Sequence, residues 1–175
     1  MNEMGYLENL YTKGCIRVHS GIYVNVTDFK KEHVLLDDIG HALAMLPRWG
    51  GHCAFPYSVA EHCIIGSYDD SLTTNEERLA FLMHDSSEAY MLDIPTPIKE
   101  LFPLYYELEH SIMNVISQVL LFEYPLSEKT KVVDKNMLYS EWDTIIINKY
   151  RICEQMEHMQ IKKMFIDRYN ELKNH

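Results

Sequence analysis

No Cys-x-x-Cys pair occurs in this sequence, whose four cysteines, Cys15, Cys53, Cys63 and Cys153, stand singly. Paired spacing is what builds a cysteine zinc knot, so a structural site of that kind is not expected to organise the chain. The cysteines read instead as reduced thiols of a cytoplasmic protein. Met1 to Leu10 carries acidic residues and no apolar run, so no secretory signal core is expected there. No apolar stretch approaches the length of a membrane span, which argues against a membrane partner. Basic residues are scarce as well, 16 against 26 acids, for a formal net charge of −10. Duplex nucleic acid requires a concentrated basic face, and none is visible. A small phosphorylated substrate stays compatible, because a metal ion and a few cations make a local positive pocket even in an acidic protein. Internal repeats, low-complexity tracts and linkers are also missing, which implies one domain over residues 1–175.

What is present is ordinary globular material with helical periodicity. Residues 15–26 alternate β-branched and polar side chains around Ser20-Gly21 and predict a short hairpin, with His19 an exposed strand residue. After residue 35 the period becomes helical, and a mostly helical domain of five to seven helices is expected. Asp37 or Asp38 is placed to cap a helix whose Ile39, Ala42, Leu43 and Leu46 share one face, with His41 off that stripe. Pro47 and Gly50-Gly51 break it and put Arg48 and Trp49 on a turn. Ser58-Val59-Ala60-Glu61 and Thr74-Asn75-Glu76-Glu77 are capping boxes, the first opening a helix that carries His62, the second a helix that delivers His84 and Asp85 at its end. Following Pro103, a stripe of Leu104, Leu108, Ile112, Val115, Ile116 and Val119 predicts a long core helix with His110 on its solvated side. A helix from about Ser127 carries Val133, Asp134, Leu138, Glu141 and Trp142, and the seven-residue spacing of Asp134 and Glu141 places both on one face. The last helix, about 157–172, with Ile161, Met164, Phe165 and Leu172 on one side, reads as a packing or dimer helix.

The unusual stretch is Leu79 to Pro97. An apolar run ends abruptly in His84-Asp85, and Glu88 and Asp93 follow before Pro95 and Pro97 interrupt the chain. Burying imidazole and carboxylate costs free energy unless they are paired or hold a metal, so this cluster is a candidate functional site. With His62 upstream and Asp134 downstream, the order is histidine, histidine-aspartate, aspartate. Two imidazoles and two carboxylates from separate helices can converge on one divalent ion and leave positions open for water and substrate.

This pattern resembles the HD-domain phosphohydrolase superfamily and, more narrowly, the HD-domain 5'-deoxynucleotidases and their phage relatives, such as small phage dATP triphosphohydrolases. The matching stretches are Arg48-Trp49-Gly50-Gly51-His52, Tyr57 to His62, His84 to Tyr90, Asp93 to Lys99, and Asp134, within about residues 35–145. The resemblance implies an all-α, HD-type helical bundle beside the small N-terminal hairpin. It implies His62, His84, Asp85 and Asp134 as ligands of one divalent ion, with manganese, cobalt, zinc, magnesium and ferrous iron compatible with the donor set. It assigns Glu88 to proton transfer and Asp93 to assisting the reaction centre. Arg48 and Lys99 would clamp phosphate, Trp49 would pack on the deoxyribose, and Glu141 would line the substrate cavity. The expected activity is hydrolysis of phosphate from 2'-deoxynucleoside mono- or triphosphates. The competing expectation is a catalytically idle HD scaffold that binds a nucleotide or a protein; no ligand position is substituted, which argues against it.

Overall fold

The computed structural model describes residues 12–174; the expectation for Met1 to Leu10 lies outside the described residues. Strands β1 (Cys15–Arg17) and β2 (Tyr23–Asn25) pair antiparallel, with Ile16 opposite Val24. Gly21 closes the turn between them at φ 93, a backbone conformation open to glycine. His19 lies in this turn and not in a strand, and its exposed ring stacks on His41 at 3.6 Å between centroids.

The rest is mostly helical. Among the described residues the α-helices are α1 (Leu36–Met45), α2 (Val59–Gly66), α3 (Asn75–Leu82), α4 (Glu88–Met91), α5 (Thr96–Lys99), α6 (Pro103–Leu120), α7 (Glu128–Glu141) and α8 (His158–Lys173). The number exceeds the expected five to seven because α4 and α5 are single turns on either side of Leu92-Asp93, too short to show a period in sequence. No helix among the described residues is long and apolar enough to cross a membrane.

Neither aspartate caps α1. The helix begins one residue before Asp37, and buried Asp38 accepts hydrogen bonds from the Ser20 amide at 2.6 Å and the Ser20 hydroxyl at 2.8 Å. An acid read as a local cap thus ties the hairpin to the helical body. The stripe of α6 is also rotated from the expected one: Tyr105, Ile112, Met113, Ile116 and Leu120 are buried while Leu104 is exposed. His110 is exposed as expected, with its Nδ1 2.9 Å from the Tyr124 hydroxyl.

α8 supplies the centre of the core. It packs on α1, α2 and α3 through Ile161, Phe165 and Leu172, so its apolar face is used within the chain, while Met164 is exposed. Arg168 is buried on the same helix and donates to the Ser67 hydroxyl at 3.0 Å and the Ser67 carbonyl at 2.9 Å, which anchors the end of α2. Helix α7 also lies against α2 and α3.

The packing leaves no room for a side chain at Gly66, the last residue of α2. A methyl group there would stand 2.1 Å from Phe81 and 2.4 Å from Met137 Sδ. Gly66→Ala should therefore destabilise the fold by about 1–3 kcal/mol through overpacking, more than the gain in helix propensity returns. Urea unfolding checks this; an unchanged or raised midpoint would mean that α3 and α7 can yield without loss.

Candidate metal centre

Local chemistry sets the position of each side chain. The Ser58 hydroxyl accepts from the Glu61 amide at 3.2 Å and Glu61 Oε2 accepts from the Ser58 amide at 2.7 Å, so α2 starts where the sequence predicts and His62 lies fully buried in its first turns. The reciprocal pair at Thr74 and Glu77 starts α3 in the same way. That helix ends sooner than expected, at Leu82. His84 and Asp85 lie beyond it in a run of tight turns, because the amide and hydroxyl of Ser86 both donate to the Met83 carbonyl, at 3.1 and 2.7 Å. Glu88 follows one such turn after Asp85, its amide donating to the Asp85 carbonyl at 2.9 Å.

The loop carrying Arg48 and Trp49 is pinched at its base. The Arg48 amide donates to the Tyr57 carbonyl at 2.9 Å and the Val59 amide to the Leu46 carbonyl at 3.0 Å, which holds the 48–51 turn beside the start of α2. Trp49 and Gly50 both take φ 59 there. A non-glycine residue in this region is strained by about 1–3 kcal/mol and persists only where its surroundings impose it.

At the centre, His62 Nε2 and His84 Nε2 are 3.4 Å apart. Those two residues and Asp85 each offer a donor atom within 4.8 Å of the others, a group able to hold a metal ion. His84 Nε2 is 3.2 Å from Asp85 Oδ2. Asp134 reaches in from α7, with Oδ1 3.2 Å from His62 Nε2 and 3.5 Å from His84 Nε2. The other face of each imidazole is occupied. His62 Nδ1 meets Glu141 Oε1 at 2.7 Å, and His84 Nδ1 meets the Phe81 carbonyl at 2.6 Å. Carboxylate and carbonyl oxygens only accept, so both Nδ1 atoms carry a proton and both Nε2 atoms are turned to the shared place. This is the arrangement that orients metal-ligating histidines. The donor set of imidazole nitrogen and carboxylate oxygen fits a divalent ion of intermediate hardness.

Charge is distributed unevenly around this place. Burial pulls the His84 pKa down, but Asp85, Cys63 and Asp134 outweigh it and raise it well above 6.5. Asp134 is pulled the other way: burial alone would raise it, and the two imidazoles against it, His62 and His84, drive it far below the usual carboxylate range. Burial first, then the charges of Asp85 and Asp93, push Glu88 well above 4.5, and its Oε2 is buried without a hydrogen-bond partner. Asp93 is raised by burial and by Asp85, with Arg48 and Lys99 opposing.

Of the expected phosphate and sugar contacts, Arg48 and Trp49 stand next to the ligand group: Arg48 Nη1 is 3.7 Å from Asp85 Oδ2, and its guanidinium lies 5.8 Å from the Trp49 ring. Lys99 is already paired with Glu109 at 2.9 Å and lies 4.9 Å from the Tyr105 ring, so it acts on Glu88 through charge at longer range. Glu141 was expected to line the substrate cavity, but both its oxygens are taken by protein groups. Oε1 accepts from the Tyr57 hydroxyl at 2.7 Å as well as from His62, and Oε2 from Arg48 Nη2 at 3.0 Å. Its place is behind the ligands, orienting His62 and Arg48. Sequence reasoning gave Tyr57 and the Phe81 carbonyl no role; Tyr57 lies just before the Ser58 cap, yet no spacing points to its partner on α7.

No family model matches this chain. It is 34% identical over 150 residues to YfdR of Escherichia coli strain K12, described as an uncharacterized protein, across 86% of this chain and 83% of YfdR. It is 33% identical over 89 residues to an uncharacterized protein of Rhodobacter capsulatus, across 47% of this chain and 45% of that protein.

Two outcomes follow from the geometry. Because a proton and a metal ion compete for His84 Nε2, and the raised pKa keeps that proton on above 6.5, divalent-ion affinity should keep rising with pH beyond the ordinary imidazole range. Calorimetric titration in buffers of different ionisation enthalpy checks this; affinity that levels off where an ordinary imidazole has lost its proton, by about pH 7.5, would contradict it. Glu141→Gln should weaken divalent-ion binding by about 10- to 100-fold while the fold persists, since it leaves His62 in place without its orienting anion. Unchanged affinity would remove Glu141 from this role.

Proposed function

We propose that this chain, which belongs to the same family as YfdR of Escherichia coli, is a metal-dependent phosphohydrolase of 2'-deoxynucleotides built as a single HD-type helical domain. The observation that carries the reading is the pair of Nε2 atoms 3.4 Å apart beside Asp85, each turned inward by an Nδ1–H already committed to an acceptor. Two such nitrogens need a positive charge between them, a proton on His84 or a metal ion in its place. His62, His84 and Asp85 would hold one divalent ion, with Asp134 completing the set. When bound, the ion supplies a Lewis acid that activates water and neutralises phosphoryl charge.

The chain's own residues divide the remaining work. Arg48 is held rigid by Glu141 and Asp85, and its Nε–H is buried without an acceptor, which suits it to fix one phosphoryl oxygen. Glu88 moves a proton. Its carboxyl, raised by burial and by Asp85 and Asp93, holds a proton more tightly than a free glutamate, which suits it to take one from water and pass it to a leaving oxygen. Asp93 assists by keeping that affinity high, and Lys99 moderates it. Trp49, on its strained turn beside Arg48, packs its ring on the sugar where a 2'-hydroxyl would have to fit.

Turnover of matched deoxynucleoside mono- and triphosphates with manganese, cobalt, magnesium or zinc should release phosphate or triphosphate; bound metal with no turnover on any of them would instead mean an idle scaffold. Glu88→Gln should keep fold and metal and lose ~10²-fold or more in kcat. Near-normal turnover would remove Glu88 from the mechanism. The wild type should prefer deoxy over ribo substrates by roughly 5- to 150-fold in kcat/KM, the cost of burying an unpaired hydroxyl. That ratio should fall in Trp49→Ala, and a ratio that stays the same makes Trp49 a packing residue.

A further inference from the structure

The chain contains two tryptophans, Trp49 and Trp142, and the fold brings them together with ring centroids 5.3 Å apart at 54°. Neither is placed as a core residue would be. Trp142 keeps 48% of its surface exposed, and the Trp49 indole N–H is buried with no acceptor, on a backbone held at φ 59. Unpaired buried donors are rare in folded proteins and point to a missing partner. Trp142 also opens a π-helical segment, Trp142–Ile147, directly after Glu141. Segments of this kind are uncommon and concentrate at functional sites.

The contacts run outward from the ligand group in one line. His84 meets Asp85 at 3.2 Å, Asp85 meets Arg48 at 3.7 Å, the Arg48 guanidinium lies 5.8 Å from the Trp49 ring, and Trp49 lies against Trp142. The chemistry along that line passes from metal donors to a cation, then to one ring and to a second, more exposed ring. A nucleotide presents its parts in the same order, phosphate, sugar and base.

We infer that Trp142 is the stacking wall for the nucleobase, an inference that rests on the deoxynucleotide reading of this site. An indole offers a π-face and no acceptor, so the wall takes planar heteroaromatic rings with little choice among the bases. Adjacent residues then serve both ends of the substrate: Glu141 sets the metal and phosphate side through His62 and Arg48, and Trp142 sets the base side.

Tryptophan emission reports this surface directly, because no other tryptophan contributes. The probes are the four deoxynucleoside monophosphates, the matched triphosphates and base-free 2-deoxyribose 5-phosphate, added to slow-turnover Glu88→Gln protein with magnesium. In a Trp49→Phe background, nucleotides should quench Trp142 emission saturably and 2-deoxyribose 5-phosphate should not. By calorimetry, Trp142→Ala should weaken nucleotide binding by about tenfold or more, the scale of one stacked base. Trp142→Phe should restore most of it, and affinity for the base-free phosphate should be the same in all three proteins. Equal nucleotide affinity with and without Trp142, or an equal loss for the base-free phosphate, overturns the inference and makes Trp142 structural. Protein that binds neither nucleotide nor base-free phosphate overturns the deoxynucleotide reading along with it, whereas binding of both with equal affinity overturns the stacking role alone.

Discussion

One buried carboxylate holds this centre together. Glu141 is almost fully enclosed, a position in which an isolated anion would be costly. Three donors compensate it: the His62 ring, the Tyr57 hydroxyl and the Arg48 guanidinium. Together they outweigh burial and hold its pKa below the usual value, so it remains an acceptor. Burial first and then the Glu141 charge keep Tyr57 protonated, and for Arg48 the charges of Glu141 and Asp85 outweigh burial and keep it charged, so both pKa values are raised. A carboxylate of this kind fixes a tautomer and a rotamer at once. The lone pair that His62 offers at Nε2 exists because Glu141 takes the proton side of the same ring. Loss of any one donor would leave a buried charge undersatisfied, so the network is stable only when complete.

The fold makes that network by bracketing His62 from a single helix. Asp134 and Glu141 are two turns apart on α7 and meet opposite nitrogens of one imidazole. The pinch between Pro47 and Ser58 then brings Arg48 to the second oxygen of Glu141. Elsewhere the described chain satisfies its buried polar atoms well. Of the four buried side-chain atoms without a partner among the described residues, three belong to this region: Arg48 Nε, Trp49 Nε1 and Glu88 Oε2; the fourth is His41 Nδ1. Uncompensated polarity collected in one place, next to a strained backbone turn, marks this region as a candidate binding site.

Features carried by local chemistry were legible in sequence, and features carried by partners were not. The two capping boxes fall where Ser58 and Thr74 put them, since a box needs only residues three apart. The shared face of Asp134 and Glu141 follows from helix period alone. By contrast, the aspartate beginning α1 reads as a cap until the hairpin is folded against it, when Ser20 claims Asp38. α3 was expected to run through His84 because its apolar run does, and a serine hydroxyl competing for the Met83 carbonyl leaves no periodic trace. Glu141 is the clearest case. Its sequence neighbourhood places it beside the site, but whether it faces substrate or protein depends on Tyr57 and Arg48, residues far along the chain whose contribution appears only in three dimensions.

The same acids that make the centre attractive to a cation set its coupling to protons. Asp85, Asp93 and Asp134 surround the two imidazoles with Glu88 beside them, and Arg48 is the cation nearest to offset them. Like charges this close cannot all remain ionised at low cost. The protein resolves the crowding with protons, which His84 and Glu88 both hold more tightly than free side chains do, His84 because carboxylates face it and Glu88 because burial and carboxylates oppose its ionisation. A divalent ion among these donors would replace proton charge with its own. It would displace the proton on His84 Nε2 outright and, by neutralising Asp85, lower the affinity of Glu88 for its own. Cation entry and the readiness of Glu88 to accept a proton are therefore one linked equilibrium. With an ion held by these donors, Glu88 would give up its proton more readily than burial and Asp85 alone allow.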